Sequence, residues 1–396
     1  SPREYSPLVR PPSPIRLATS LFQGAFATRP AVAASAPGRI FLLGGGDAPR
    51  EPTITMGIDR RTAVAAARAW TWEAVSGRDS VVDPFDPEAP DASRWTDHLA
   101  EVVRGLRAHG VSITGARLAV ASSLARHAGF GAAMALRVAA AKALCLLAGQ
   151  RVSDVELVSA VCGPPTAQRA AGQWRDASAI ALARRGALMW LDPIGELAGL
   201  HSSNIQLTVV ETGARLSPLS PQSSVLSPDF QALSLLNQSG LPLARLGDLE
   251  PAALPGALAW LPPPLHTEVT RVVAESDRIR RLVRDGIVAA RLGNLWGEDS
   301  ERTASGDEIE CLLSSARSHG ALGVREVGRP GWGVAMLLPP EGTRAGAARI
   351  EAMVAEDFRG AFGRIPTLWR TSPAAGVQSE SLRAGAGGSD QDASAR

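Results

Sequence analysis

His127-Ala-Gly-Phe-Gly-Ala-Ala-Met-Ala-Leu136 is a glycine-punctuated turn that runs directly into small and apolar residues as far as Ala148. The spacing predicts a helix over Gly131 to Ala148. Only Arg137 and Lys142 interrupt its apolar surface, so it belongs in the middle of a folded unit rather than on one face. The amino end of a helix leaves backbone N–H groups without intrahelical partners, and the peptide dipoles add partial positive charge there. Such an end attracts phosphate. Two readings stay open from these residues alone: a cradle for a polyphosphate, or a run of small residues that lets the helix start pack closely.

Upstream, Ala36-Pro-Gly-Arg-Ile-Phe-Leu-Leu-Gly-Gly-Gly-Asp47 reads as an apolar strand, Arg39 to Leu43, that ends in a glycine turn. Glycines let a ligand ring approach the backbone, and the Asp47 carboxylate can accept two hydroxyl hydrogen bonds. A solvated or turn-capping Asp47 is the alternative. Strands are expected at Thr53 to Ile58 and Thr62 to Ala67. A helix is expected over Ser93 to His109, with Leu99, Val102, Val103 and Leu106 on one stripe.

Downstream, helices are expected at Ser153 to Val161 and Thr166 to Ala183, then strands at Ala187 to Leu191 and Asn204 to Glu211. A linker rich in serine, proline and leucine runs from about 214 to 229. Helices at Leu265 to Val283 and Asp307 to Arg317 precede a closing strand, helix and strand at Val334 to Leu338, Ala345 to Phe358 and Ile365 to Arg370. Residues 1–17, rich in proline and arginine, and the glycine- and serine-rich tail 378–396 are expected to be disordered. The element order predicts an α+β protein of two domains, residues 18–200 and 201–377.

Composition bounds the function. A chain of 396 residues, 45% hydrophobic, is long enough to bury a large core. A formal net charge of +2 gives no electrostatic case for nucleic-acid or membrane partners. Lys142 is the only lysine, which rules out a Walker-type phosphate loop at any other position. Cys145, Cys162 and Cys311 are isolated, with neither metal-ligand spacing nor a disulfide framework. With no apolar run of membrane-spanning length and no apolar leader, a soluble, cytoplasmic protein is expected.

Taken in order, these segments resemble the galactokinases of the GHMP kinase superfamily. Phe22-Gln-Gly-Ala-Phe26, Pro30 and Ala36 to Asp47 are similar to the galactokinase opening, a Phe-rich helix followed by Ala-Pro-Gly-Arg and a sugar-binding loop. The Gly-Gly-Gly-Asp variant looks more like the heptose and fucose kinases. His127 to Leu136 resembles the superfamily's phosphate loop, with Gly131, Ala132 and Ala133 in place of its serines. Gly323-Val-Arg-Glu-Val-Gly-Arg-Pro-Gly-Trp-Gly333 resembles the glycine loop that closes over the nucleotide phosphates. Here Arg329 and Pro330 replace small residues. Further matches include Thr270 to Arg278, Asp307 to Leu312 and Phe362 to Pro366, so the resemblance runs from about residue 18 to about 377.

The resemblance implies an α+β, two-domain fold with a cleft between the domains. It implies an ATP-dependent sugar kinase using Mg2+ and a sugar or sugar-like acceptor. Gly186-Ala-Leu-Met-Trp-Leu-Asp192 matches a family strand, and the family's spacing back from it places the carboxylate base at Asp176, with Arg39 steadying charge. The alternative for Asp176 is a helix-surface carboxylate paired with Arg175 or Arg169. By the same mapping, Gly45, Gly46 and Asp47 would hold the acceptor. Gly129, Phe130, Gly131, Ala132, Ala133, Gly328, Gly331 and Gly333 would hold the nucleotide. The sequence departs from the family in three sugar-site segments: Gly45-Gly46 replaces Glu-His, Tyr5 is the only tyrosine, and a histidine near Ser300 is missing. These losses, with the missing phosphate-loop hydroxyls, keep a second class in view, a non-catalytic ligand sensor of the same fold.

Overall fold

The computed structural model describes residues 13–44, 51–89, 94–162, 168–192, 196–202, 205–214, 228–298, 305–339 and 344–382. Its first sheet is built from β1 (Val32–Leu43), β2 (Thr53–Arg68), β3 (Trp72–Ser76), β4 (Val82–Pro84), β5 (Ala116–Ser122), β6 (Ala187–Asp192) and β7 (Glu196–Ser202). The second contains β8 (Leu207–Glu211), β9 (Gly323–Val327), β10 (Gly333–Leu337) and β11 (Thr367–Thr371), in the order β11-β8-β10-β9. A last strand, β12 (Gln378–Ser381), returns to the first sheet and pairs antiparallel with β1.

Eleven helices fill the intervals among the described residues: α1 (Pro14–Phe26), α2 (Asp97–Ala108), α3 (Ala132–Ala148), α4 (Asp154–Cys162), α5 (Gln168–Ala181), α6 (Pro228–Gln238), α7 (Leu254–Leu258), α8 (Pro263–Asp285), α9 (Ala289–Glu298), α10 (Asp307–Ser318) and α11 (Arg344–Phe362). None of the described helices is long and apolar enough to cross a membrane.

The alternation of side chains along a strand explains why β1 and β2 are so rich in alanine and valine. Val32, Ala34 and Ala36 of β1, with Val64 and Ala66 of β2, join the core around α3. Ala33, Ala63 and Ala65 face the other way, into a smaller cluster with Ala18 and Phe22 of α1. Both faces are covered, so both sets of side chains must be apolar and small. Helix α3 lies against β1 and β2 with residues buried round its circumference, as its sequence predicts. Helices α10 and α11 cover the second sheet, through Ile309, Leu312, Val354 and Phe358 against Val210, Val324, Val334 and Met336.

Several expected boundaries move. The expected disorder of 1–17 gives way to α1 from Pro14, and the tail expected to be disordered from 378 begins with β12. The strands expected at Thr53 to Ile58 and Thr62 to Ala67 are one strand, β2, because its polar middle is bonded rather than turned. Arg60 Nη1 donates to Glu211 Oε1 at 2.8 Å. Arg61 donates to the Ser35 carbonyl at 3.0 Å, the Ala375 carbonyl at 2.7 Å and the Gly376 carbonyl at 2.6 Å. Arg61 therefore ties the returning C-terminal segment to the first sheet.

Candidate active site

The site grows from the start of α3. Gly131 is the residue before the helix, with φ +78°, and no side chain caps the first turn. A side chain there would be strained by that φ, and a Cβ would sit 3.0 Å from Ile180 Cδ1 and 3.5 Å from Arg39 Cγ. Ala133 is exposed and Ala132 half-buried, so the first turn of the helix opens to solvent at the end where backbone N–H groups attract anions.

Arg39 is the hub. Its backbone N–H donates to the Phe130 carbonyl at 3.0 Å, which joins β1 to the turn before α3. The guanidinium sends Nε and Nη2 to Oδ1 of Asp176, at 3.1 and 3.0 Å, and Nη1 to the Gly129 carbonyl. Asp176 comes from α5, and its side chain keeps 27% of its surface exposed against 11% for Arg39. The carboxylate is thus neither a free surface group nor a partner of its helix neighbour. Arg175 instead places its guanidinium 4.9 Å from the Phe41 ring centroid, and Arg39 stacks on the same ring at 4.3 Å. Of the two local partners considered for Asp176, Arg175 is engaged elsewhere, and the side chain of Arg169 lies outside the described residues.

The glycine loop after β9 closes on the α3 turn. Arg329 N–H donates to the Ala128 carbonyl at 2.9 Å. Gly129, at φ +86°, leaves no room for a side chain, since a Cβ there would lie 2.6 Å from both the Arg329 nitrogen and the Gly328 carbonyl carbon. The buried Phe130 ring meets Trp332 edge-on at 4.6 Å and Trp369 at 6.0 Å. Gly331 donates to Glu326 at 2.7 Å, and the Gly331 carbonyl accepts from Thr212 at 3.0 Å. Gly333 opens β10 opposite Val327 and Glu211.

The end of β1 is held from the second half of the chain. The Leu42 carbonyl accepts from Trp296 Nε1 at 2.8 Å and Arg325 Nη1 at 2.7 Å. Gly44 N–H donates to Glu275 at 2.7 Å, and Glu275 pairs with Arg325 at 3.2 Å. The end of β1 and the turn at Gly129 are thus both bonded to the segment from Arg325 to Arg329. Gly45, Gly46 and Asp47 lie outside the described residues. His127 is exposed at φ +58°, and Lys142 serves helix packing, donating to Asp154 at 3.2 Å.

Sequence reasoning missed Phe41, the ring on which Arg39 and Arg175 both stack. It gave no role to Trp296, nor to Glu275 and Arg325 within the segments that match the family.

Among solved structures, the chain is similar to Lactococcus lactis galactokinase complexed with galactose. The TM-score is 0.76 at 17% identity, over 92% of this chain and 99% of that one. The chain has the galactokinase-like fold of the GHMP kinase superfamily. The likeness extends to Methanococcus jannaschii mevalonate kinase, with TM-score 0.54 at 11% identity over 87% of this chain and 98% of that one. No family model matches the sequence, and neither does any curated protein. At these identities the GHMP fold is what the likeness establishes.

That fold implies ATP and Mg2+. The α3 end suits polyphosphate, but Gly131, Ala132 and Ala133 offer a metal ion no side-chain oxygen. Among the described residues no group of three or more His, Cys, Asp or Glu is placed to hold one. Among the described residues, the start of α3 supplies no side-chain oxygen for a protein-held magnesium.

Proposed function

We propose that this chain is an ATP-dependent phosphotransferase acting on a hydroxyl of a sugar or sugar-like acceptor. One observation carries the reading: Arg39 joins the Asp176 carboxylate to the Gly129 carbonyl at the open end of α3. An acid–base group, a fixed positive charge and an anion-attracting helix end thus share one site, the set that phosphoryl transfer needs for positioning and charge stabilisation. Gly45, Gly46 and Asp47 follow Gly44 directly in sequence and would contact the acceptor.

ATP would supply the phosphoryl group, with any magnesium carried on its own phosphates. Asp176 would orient the acceptor hydroxyl and take its proton. The acceptor oxygen forms the new bond to phosphorus as the bond to the departing ADP breaks. Arg39 offsets charge that gathers on the transferred group and keeps Asp176 aimed. Backbone N–H groups at Gly131 to Ala133 would bind the phosphates, while Gly129, Phe130, Gly328, Gly331 and Gly333 fix the two loops around them.

A second reading is favoured by one specific feature, the absence of hydroxyls at Gly131, Ala132 and Ala133. In it, the same site binds nucleotide or sugar without transfer, and the protein acts as a ligand sensor. ADP release measured over a panel of monosaccharides, with and without magnesium, separates the two. Release with any sugar supports the enzyme. Thermal stabilisation by ATP or a sugar without ADP release supports the sensor, and neither response rejects both.

A further inference from the structure

Two feet of the β1–β2 connection, Gly44 and Glu51, rest on consecutive residues of α8. Gly44 N–H donates to Glu275, and the Glu51 carboxylate accepts from Ser276 Oγ at 3.0 Å. Glu51 also accepts the Gly247 N–H, at 3.1 Å to each oxygen, from the short helical turn Leu246–Asp248. Gly247 has to be glycine: a Cβ there would run into Glu51 Oε2 and Ser276 Oγ. The carboxyl is 7% exposed.

We propose that Glu51 is a positioning residue whose protonation tightens the grip of α8 and the 246–248 turn on the start of β2. Burial sets the direction, against the hydrogen bonds that Glu51 accepts. Both groups that touch Glu51 are neutral, a backbone N–H and a hydroxyl. The charge of Arg245 acts on Glu51, but Arg245 is committed to Asp192 on β6 and to Asp248 beside the turn. Asp248 adds a repulsive charge, Arg280 of α8 is spent on the Gly247 carbonyl, and Glu275 is paired with Arg325. Among the described residues, the ionised carboxylate therefore has no dedicated counter-ion in its buried place. Burial pushes the Glu51 carboxyl up from 4.5 to about 7, against the lowering pull of Gly247, Ser276 and Arg245.

The gripped state binds the proton more tightly than the released state, so the grip is strongest at low pH. It weakens as pH rises from the ordinary carboxylate range to about 7 and then levels off. The inference stands without the proposed function, since its test needs no catalysis.

Hydrogen–deuterium exchange of the peptide containing Gly247, corrected for the intrinsic effect of pH, reads the grip directly. In the parent, protection falls by up to about tenfold per pH unit between pH 5 and 7 and is flat above. In Glu51→Gln, which keeps the shape and cannot ionise, protection is independent of pH. Ser276→Ala removes a donor to the ionised form, so its decline continues to higher pH than in the parent, and it serves alone if Glu51→Gln does not fold. A flat profile in the parent, or parallel profiles in parent and variants, overturns the proposal.

Discussion

Arg39 directs two N–H groups at a single oxygen of Asp176, although 137 residues separate them in sequence. The pair is partly buried, so breaking it leaves a charge short of its partner. If Asp176 takes the acceptor proton, Asp176→Asn lowers turnover by about a hundred- to ten-thousand-fold, the range for a positioned acid–base group. Nucleotide affinity changes little, because in the proposed site backbone N–H groups at α3 bind the phosphates. Arg39→Lys keeps the charge but loses the fork, and lowers turnover less than Asp176→Asn. Steady-state kinetics beside a nucleotide titration checks both. Equal turnover in parent and Asp176→Asn removes the carboxylate from the mechanism.

The two glycine loops make a sharper steric prediction. Gly129→Ala puts a Cβ 2.6 Å from backbone atoms of Gly328 and Arg329, at a positive φ. The loops have to separate, which costs about 2–4 kcal/mol with the strain included. Gly331 also has a positive φ, but a Cβ there meets nothing within 4 Å. Gly331→Ala should therefore cost only the backbone strain, about 1 kcal/mol. Chemical unfolding of both variants measures the difference, and equal losses would show that the loop–loop contact is not tight in solution.

How far the sequence reaches is clear from α3 and from Glu275. The helix was legible because its residues are apolar on every side, and expected and observed limits differ by one residue at the start. Asp176 could be placed only through the resemblance, since nothing local marks it apart from other helix carboxylates. Glu275 reads as an ordinary polar position on an amphipathic helix, yet it is 5% exposed and paired with Arg325. Its partners, Gly44 and Arg325, lie far away along the chain, and periodicity carries no record of such pairs. The same limit hid the continuity of β2, where Arg60 and Arg61 look like a break until Glu211 and the C-terminal carbonyls arrive to bond them.

Glu275 and Arg325 are buried partners, at 7% and 9% side-chain exposure. Removing Arg325 leaves Glu275 with Arg278 at 3.5 Å, so Arg325→Met should cost at or below the low end of the about 3–5 kcal/mol expected for breaking a buried pair. Glu275→Gln should cost less, because the amide oxygen still accepts the Gly44 N–H. Combining Arg325→Met with Glu275→Gln removes the carboxylate's leftover charge, and the double variant should be more stable than Arg325→Met alone. A double-mutant cycle by denaturant unfolding measures this coupling. Simple additivity would mean that Arg325 acts on Leu42 and not through Glu275.

The hydroxyl-free turn before α3 yields the prediction that bears most on whether the site turns over. Ala132 and Ala133 sit in the first turn, one half-buried and one exposed. Serine is tolerated at a helix amino terminus, so Ala132→Ser with Ala133→Ser should leave stability within about 0.5 kcal/mol of the parent. If the parent is a slow kinase limited by missing contacts to phosphate and its metal, the added hydroxyls raise kcat and make activity more dependent on magnesium. The direction follows from charge-assisted hydrogen bonds, which are stronger than neutral ones and act where charge builds up during transfer. If the parent is a sensor, the hydroxyls tighten nucleotide binding in a thermal-shift titration without producing ADP. No change in kcat, magnesium dependence or nucleotide affinity would mean that phosphate does not reach the end of α3, and the helix would then start with small residues for packing alone.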